Sequence, residues 1–199
     1  SGSRDRTLEI VKKYPVVLNQ ISPEEFGHGR TRNLGLHLSK GKFVVFLNGD
    51  ATPKNRHWLN AFLGVFQRYE NVAGVYSRIY PRNDCNPLDA RDILYDSYLF
   101  DEKIKYIKSF SEYNNISAEE NRKFISFHTI SCMVKRDILL ENPFADVQFG
   151  EDLEWSKRML EKGFKIIYEP ASEVIHSHNL HASFIKTLKS YFDEARLSQ

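Results

Sequence analysis

Three short stretches of the chain carry side chains that could do chemistry. Asp50 stands at the end of an apolar run, Glu151 and Asp152 are adjacent, and His176 and His178 are two residues apart. Carboxylates can bind a divalent metal ion or remove a proton, and a pair of histidines can bind a metal ion or a phosphate group. The residue types therefore indicate metal-dependent or acid–base chemistry, provided that the fold brings these stretches together.

The apolar run before Asp50 spans residues 42–47 and is rich in β-branched and aromatic side chains. Such a run predicts a strand buried on both faces, inside a parallel sheet, and Pro53 ends further strand pairing. The carboxylate would then lie at the carboxyl-terminal edge of the sheet, where open α/β sheets bind their ligands. An aspartate after a strand is also a common turn or helix-cap residue, and this stretch alone leaves both roles open.

The other two stretches are equally ambiguous by themselves. Glu151 and Asp152 precede a helix predicted over residues 153–162, and carboxylates are common at helix starts because the helix dipole favours negative charge there. His176 and His178 follow an apolar pair and lie on the same side of an extended segment. A metal or phosphate contact and a structural role remain open for the two histidines.

Arg30 and Arg32 lie in a glycine-containing loop that leads into a small amphipathic helix predicted over residues 31–39. Gly27-x-Gly29 resembles the start of a dinucleotide-binding fingerprint, but Arg32 stands where the third glycine belongs, so we exclude that motif. Arginines at such a place can bind a diphosphate through two hydrogen bonds each. Solvated surface charges are the alternative.

The remaining pattern supplies the elements that must position these groups. Helix, strand, helix and strand alternate in the order expected of an α/β protein. Helices are predicted over residues 7–14, 56–69, 88–111, 136–141 and 183–197, strands over 16–18, 72–77 and 164–168, a strand pair or kinked strand over 124–134, and a polar loop over 112–122.

Composition excludes several classes of protein. The chain has 199 residues, of which 41% are hydrophobic and 27% charged, as in one globular domain of ordinary size. A formal net charge of +2 gives no electrostatic case for nucleic-acid binding. The apolar runs are too short to span a membrane. Cys85 and Cys132 are the two cysteines, which indicates structural thiols in a reducing compartment.

Five motifs, taken in order, resemble the inverting family 2 glycosyltransferases of the GT-A fold over nearly the whole chain. They lie at residues 1–7, 29–35, 47–50, 150–152 and 176–178, which are similar to the family's loop after the second strand, Gly-x-x-x-Arg-Asn-x-Gly, Asp-x-Asp, Glu-Asp and distal histidine motifs. The sequences at residues 48–53, 151–158 and 174–179 look most like bacterial rhamnosyltransferase-like members.

The resemblance implies a GT-A, Rossmann-like sheet that is mixed but mostly parallel and is flanked by helices. It implies a single domain over residues 1–199, with a nucleotide-binding part at 1–80, an acceptor and catalytic part at 81–182 and a C-terminal helix at 183–197. The family's first strand and helix would precede residue 1, so an N-terminally truncated domain is expected.

The resemblance also implies a nucleotide-sugar donor, with a dTDP-sugar such as dTDP-rhamnose as the first choice and a UDP-sugar as the second. Asp50 and His176 would hold Mg²⁺ or Mn²⁺. Arg30 would contact the diphosphate, and Asn33 would belong to the nucleotide site. Asn48 replaces the first aspartate of Asp-x-Asp and would contact the ribose or a metal-bound water.

For the acceptor, the resemblance implies a hydroxyl of a cell-surface glycan, often lipid-linked, and transfer with inversion. Asp152 would be the general base, and Glu151 would orient the site or cap the helix. His178 and His181 are further candidates for the site. An enzyme of this class is expected in the cytoplasm or at the inner face of the membrane, where the last helix would contribute to peripheral contact.

Two other functions remain open from the sequence. A metal-dependent hydrolase of nucleotide sugars, or a nucleotidyltransferase, would use the same carboxylates and histidines. A non-catalytic domain of the same fold would bind a glycan or a protein partner through the aromatic segment at residues 94–106. The adjacent Glu151 and Asp152 argue against the binding domain, because such a domain needs no base.

Overall fold

The computed structural model describes residues 2–96, 102–147 and 149–177, which form one six-stranded sheet with helices packed against it. In chain order the elements are α1 (Thr7–Val11), α2 (His28–Leu38), β1 (Phe43–Leu47), β2 (Thr52–Pro53), α3 (Trp58–Arg68), β3 (Val72–Tyr80), α4 (Pro87–Asp96), β4 (Lys103–Lys105), α5 (Phe110–Tyr113), α6 (Ala118–Phe124), β5 (Ser131–Lys135), α7 (Arg136–Glu141), α8 (Glu151–Glu161) and β6 (Lys165–Ile175).

The strand order is β1-β5-β3-β6-β2, with β4 also paired to β6. The mixed sheet is confirmed, but the expected parallel majority is wrong for the described residues, where β3 and β6 form the one parallel pair. Strands β1, β3 and β6 do run in one direction. Strand β5 enters between β1 and β3 in the opposite direction, because the chain reaches it after a long excursion over residues 81–130 and not through a single crossover helix.

The core lies on both faces of the sheet, because alternate residues of the central strands point to opposite sides. On one face, α3 covers the strands through Phe62 and Val65. On the other face, α2, α7 and α8 enclose a larger cluster that includes Phe127 and Trp155, whose ring centroids are 5.3 Å apart. Gly74 makes this packing possible, because a Cβ atom there would lie 3.0 Å from the Phe127 ring.

The pairing of β3 with β6 contains a bulge. Ser77 is opposite Glu169, but the next residue of β3 is opposite Glu173, so residues 170–172 of β6 have no partner in the ladder. The bulge is held by two hydrogen bonds, from the Ala171 amide to Glu169 (2.9 Å) and between the hydroxyls of Ser172 and Ser77 (2.8 Å). Beyond it the strands run in register to their carboxyl ends.

Two strand predictions are wrong in position. Strand β1 is an edge strand in the described sheet, and Val44 is its one buried residue, so it is not buried on both faces. Residues 16–18 form no strand, and Val17 is 88% exposed. High β propensity in so short a run does not form a strand where no neighbouring strand pairs with it.

The segment over residues 87–134 departs most from prediction. Of the helix expected over 88–111, the described residues contain Pro87–Asp96 as α4, whereas Lys103–Lys105 forms β4 against β6. The expected polar loop contains α6, whose capping box between Ser117 and Glu120 is a sequence signature that the polar composition obscured. The expected strand over 124–134 begins only at Ser131.

Helices α2, α3, α7 and α8 and strands β3 and β6 match their predictions apart from their ends. His178, His181 and the helix predicted over residues 183–197 lie outside the described residues. No helix in the described part of the chain is both long and apolar enough to cross a membrane.

Candidate active site

Five of the sequence-predicted site residues lie at one edge of the sheet, namely Asn48, Asp50, Glu151, Asp152 and His176. Strands β1, β3 and β6 end at this edge and β5 begins there, as the pairs Leu47 with Ser131 and Tyr80 with Ile175 show. Helix α8 also begins there. Open α/β sheets bind their ligands at the carboxyl ends of their parallel strands.

Asp50 and His176 meet at this edge, after β1 and β6 respectively. Oδ1 of Asp50 lies 3.3 Å from Nε2 of His176. The His176 side chain is 4% exposed and that of Asp50 is 42% exposed, so the aspartate faces solvent above a buried imidazole. The backbone amide of His176 donates to the Tyr80 carbonyl (2.9 Å), which continues the β3–β6 ladder and fixes the histidine.

The separation of these two atoms suits a shared divalent cation. Two ligands at right angles, each about 2.1 Å from an ion, are about 3 Å apart. Among the described residues no third histidine, cysteine, aspartate or glutamate joins the pair. Asp50 and His176 could therefore be two of the ligands of a divalent cation, which would neutralise negative charge on a bound phosphate group.

Arg82 belongs to the same edge, although the sequence analysis did not select it. Its guanidinium donates to the backbone carbonyl of Asp50, and its backbone amide donates to the Ser177 hydroxyl (3.1 Å). It lies two residues beyond the end of β3. The rule applied to Asp50, that polar residues just after a strand are site candidates, would also have found Arg82.

Glu151 forms a buried ion pair with Arg32 of α2. The side chains are 5% and 13% exposed, respectively. The second guanidinium nitrogen of Arg32 donates to the side-chain oxygen of Asn48 (3.4 Å). Burial raises the pKa of Glu151, the adjacent Asp152 raises it further and Arg32 opposes both. Arg32 therefore stabilises the ionised form of Glu151 and joins α8 to the end of β1.

Asp152 is half-buried and is held by Thr129, which the sequence analysis also missed. Both the backbone amide (3.2 Å) and the hydroxyl (3.1 Å) of Thr129 donate to Oδ2 of Asp152. The neighbouring Ile130 carbonyl accepts from the backbone amide of Asn48 (2.9 Å). The loop before β5 thus connects the two acidic stretches of the site.

The structure does not bring Arg30 and Asn33 into this group. Arg30 donates through two nitrogens to Asp146 (3.2 and 2.9 Å), and both side chains are exposed. Asn33 donates to the Phe144 carbonyl (2.8 Å) and accepts from the Phe144 amide (3.1 Å). Asn33 thus holds α2 against the segment before α8, and its predicted nucleotide contact stays a prediction.

Two further titratable groups face Arg32 and Asp152. Burial lowers the pKa of His28, at the start of α2, and Arg32 lowers it further, while Asp152 opposes both. Burial raises the pKa of Cys132 in β5. His28 and Cys132 are therefore favoured in their neutral forms, and the charges of the site reside on the carboxylates and arginines.

Comparison with known proteins identifies the family. A sequence profile described as Glycosyl transferase family 2 matches residues 1–140. The chain is 33% identical over 184 residues to the O-antigen chain rhamnosyltransferase WbaN of Salmonella anatum, with 90% of this chain and 55% of that protein covered. It is 26% identical over 185 residues to the O-antigen chain rhamnosyltransferase RfbN of Salmonella typhimurium, with the same coverage. The chain thus spans about half the length of the curated relatives it matches.

Among solved structures, the mannosyltransferase PcManGT from Pyrobaculum calidifontis in complex with GDP-Man and Mn²⁺ gives a TM-score of 0.62 at 18% identity, over 98% of this chain and 53% of that chain. This likeness shows the GT-A fold. The resemblance to rhamnosyltransferase-like members, drawn from the motifs, is confirmed by the two Salmonella relatives. The chain belongs to glycosyl transferase family 2.

Proposed function

We propose that the chain carries the catalytic centre of an inverting glycosyltransferase, which moves a sugar from a nucleotide sugar to a hydroxyl of a growing cell-surface glycan. One observation carries the proposal. The Asp50–His176 pair and the Asp152 carboxylate lie at the same sheet edge and are joined through Asn48, whose amide donates to the Ile130 carbonyl beside Thr129. A site for a charged leaving group and a base are thus at the same edge of the sheet.

The donor half of the site contains Asp50, His176 and Arg82. Asp50 and His176 would hold Mg²⁺ or Mn²⁺, and this cation would neutralise the departing diphosphate. The Mn²⁺ and GDP-Man bound to PcManGT support this assignment. Because Salmonella relatives are rhamnosyltransferases, we favour dTDP-rhamnose as the donor and a UDP-sugar as the second choice.

Arg82 and Arg30 are the cations that we assign to the diphosphate. Arg82 already contacts the Asp50 backbone. Arg30 is paired with Asp146 at the surface, where an ion pair is worth about 0–1 kcal/mol, so a diphosphate can displace that carboxylate at little cost. Asn48 would contact the ribose or a metal-bound water through its amide group.

Asp152 is the base in this proposal. It removes the proton of the acceptor hydroxyl while that oxygen attacks the anomeric carbon from the face opposite the diphosphate. The bond to the diphosphate breaks in the same step, which inverts the configuration. Glu151, paired with Arg32, fixes the start of α8 and with it the position of Asp152.

The acceptor class follows from the relatives, which build O-antigen chains. A growing glycan of this kind on a lipid carrier would place the reaction in the cytoplasm or at the inner face of the membrane. A metal-dependent hydrolase would use the same residues and would release free sugar, so analysis of the products separates the two activities.

The deciding experiment is the substitution Asp152→Asn in the full-length protein. We expect transfer from dTDP-rhamnose or a UDP-sugar to fall by about 10²–10⁴-fold, because the base is lost. Calorimetric titration with Mn²⁺ and dTDP or UDP should show unchanged nucleotide affinity. Glu154→Gln is the matched control, since Glu154 lies on the same helix and pairs with Arg158. Retained turnover in Asp152→Asn, or lost nucleotide binding, would contradict the assignment.

A further inference from the structure

We infer that Thr129 is the positioning residue of the base. It occupies Oδ2 of Asp152 and leaves Oδ1 as the atom that receives the proton of the acceptor hydroxyl. This inference rests on the proposed function, because it assigns a direction to the same proton transfer.

The hydrogen bonds of Asp152 divide unequally between its two oxygens. Oδ2 accepts from both the amide and the hydroxyl of Thr129, at 3.2 and 3.1 Å, and two donors use both lone pairs of a carboxylate oxygen. Oδ1 accepts from the Leu153 amide (2.9 Å), the one donor to this atom among the described residues. One lone pair of Oδ1 therefore remains for a proton.

Thr129 is itself held firmly, as a positioning residue must be. Its side chain is buried, with a residue exposure of 2%. The next residue, Ile130, is anchored to the end of β1 through the Asn48 amide. Ser131 then begins β5, and its hydroxyl lies 2.7 Å from that of Ser77 in the core. The threonine hydroxyl can thus fix the rotamer of Asp152 without moving itself.

Four titratable groups surround Asp152, and none of them is changed by substitution at Thr129. Glu151 precedes it on α8, Arg32 and His28 face it from α2, and Cys132 faces it from β5. A change in the titration of Asp152 after removal of the Thr129 hydroxyl therefore reports the lost hydrogen bond, because the surrounding charges stay in place.

The first test needs no turnover. The side-chain carboxyl carbon of Asp152 is followed by NMR during a pH titration and assigned with Asp152→Asn. Thr129→Val keeps the shape but removes the hydroxyl, so we expect the midpoint to rise by about one pH unit, because a donor to the ionised form is lost. Thr129→Ser should restore the wild-type midpoint. An unchanged midpoint in Thr129→Val would overturn the inference.

Ser156→Ala is the matched control for this titration. Ser156 is fully buried on α8, one turn beyond Asp152, and its hydroxyl has no hydrogen-bond partner among the described residues. Loss of this hydroxyl should leave the Asp152 midpoint unchanged. A shift as large as that in Thr129→Val would attribute the effect to general loosening of α8 and would overturn the inference.

The second test uses transfer from the nucleotide sugar. We expect Thr129→Val to lower kcat about tenfold, to leave the KM for the donor unchanged, and to move the acid limb of the kcat profile to higher pH. Thr129→Ser should recover the wild-type profile. Wild-type kcat and pH profile in Thr129→Val would overturn the positioning role. Wild-type protein that turns over neither donor would instead contradict the proposed function, while the NMR midpoint still decides the hydrogen bond.

Discussion

Arg30 and Arg32 stand two residues apart on α2, yet their ion pairs lie in opposite environments. Arg30 pairs with Asp146, and these side chains are 54% and 58% exposed. Arg32 pairs with Glu151 in the interior of the site. Two residues apart on a helix, side chains point about 200° from each other, so one arginine faces solvent and the other faces α8. The comparison shows that helix face, and not residue type, decides what each arginine does.

The two pairs should also differ in their contribution to stability. Water screens the exposed pair, and such pairs contribute about 0–1 kcal/mol. The buried pair has lost its hydration, so removal of one partner leaves an uncompensated charge in the interior, at a cost of about 3–5 kcal/mol. Substitutions on either side of α2 can therefore test the contrast directly.

The largest expected effect is that of Arg32→Met. We expect the free energy of unfolding at pH 7 to fall by about 3–5 kcal/mol, because Glu151 is left buried without its cation. Urea denaturation measures the change. A loss below about 1 kcal/mol would show that the pair is hydrated and would remove the contrast with Arg30.

The double variant Arg32→Met with Glu151→Leu sharpens this result. It replaces both charges with apolar side chains, so we expect it to recover most of the stability lost in Arg32→Met. Transfer activity should stay low, because Glu151 and Arg32 no longer fix the start of α8. Recovery of activity together with stability would contradict a role for this pair in placing Asp152.

A smaller effect is expected in the pH dependence of stability. Burial raises the pKa of Glu151 above its ordinary value of 4.5, so the folded protein binds this proton more tightly than the unfolded chain does. The contribution of Glu151 to stability is therefore present below pH 4.5 and is lost as pH rises through the raised value.

Thermal unfolding of wild type and Glu151→Gln across pH 4–8 measures the pH-dependent contribution of Glu151 to stability. Because glutamine does not titrate, the stability of wild type relative to the variant should decrease as pH rises. A relative stability that increases with pH would mean that Arg32 outweighs burial at this site.

The smallest effect on stability is expected from Arg30→Met, which should change the free energy of unfolding by less than about 1 kcal/mol. If Arg30 contacts the diphosphate as proposed, affinity for dTDP should fall about three- to tenfold in calorimetry. Unchanged affinity would leave Arg30 as a surface residue paired with Asp146 and would assign the diphosphate to Arg82.

Much of the candidate site could be predicted because its signals are local. Asp50 and His176 were predicted from their positions after strands, and Glu151 and Asp152 from their position at a helix start. The structure places all four at one edge of the sheet. Which of Arg30 and Arg32 is buried depends on contacts with distant parts of the chain. Their acidic partners lie 116 and 119 residues further along the chain, so no nearby pattern reveals which one is buried.

The helices and strands differ in the same respect: some are predicted by their own sequence, and others depend on distant parts of the chain. Helix α3 and strand β3 bury long, regular apolar patterns, and their predictions hold. Strand β4 has only three residues, none of them buried, and it exists because β6 offers a pairing edge. The direction of β5 follows from the path of the excursion that precedes it, which the apolar run itself does not encode.

The bulge in β6 is a place where the strand can change length without shifting the later pairs between β3 and β6. The ladder passes from Ser77 and Glu169 to Arg78 and Glu173 without a gap on β3. A relative that lacked residues 170–172 would therefore keep every later pair, and His176 would stay beside Tyr80. Insertions and deletions at this point would change the length of β6, while His176 would keep its place at the edge of the sheet that holds the candidate site.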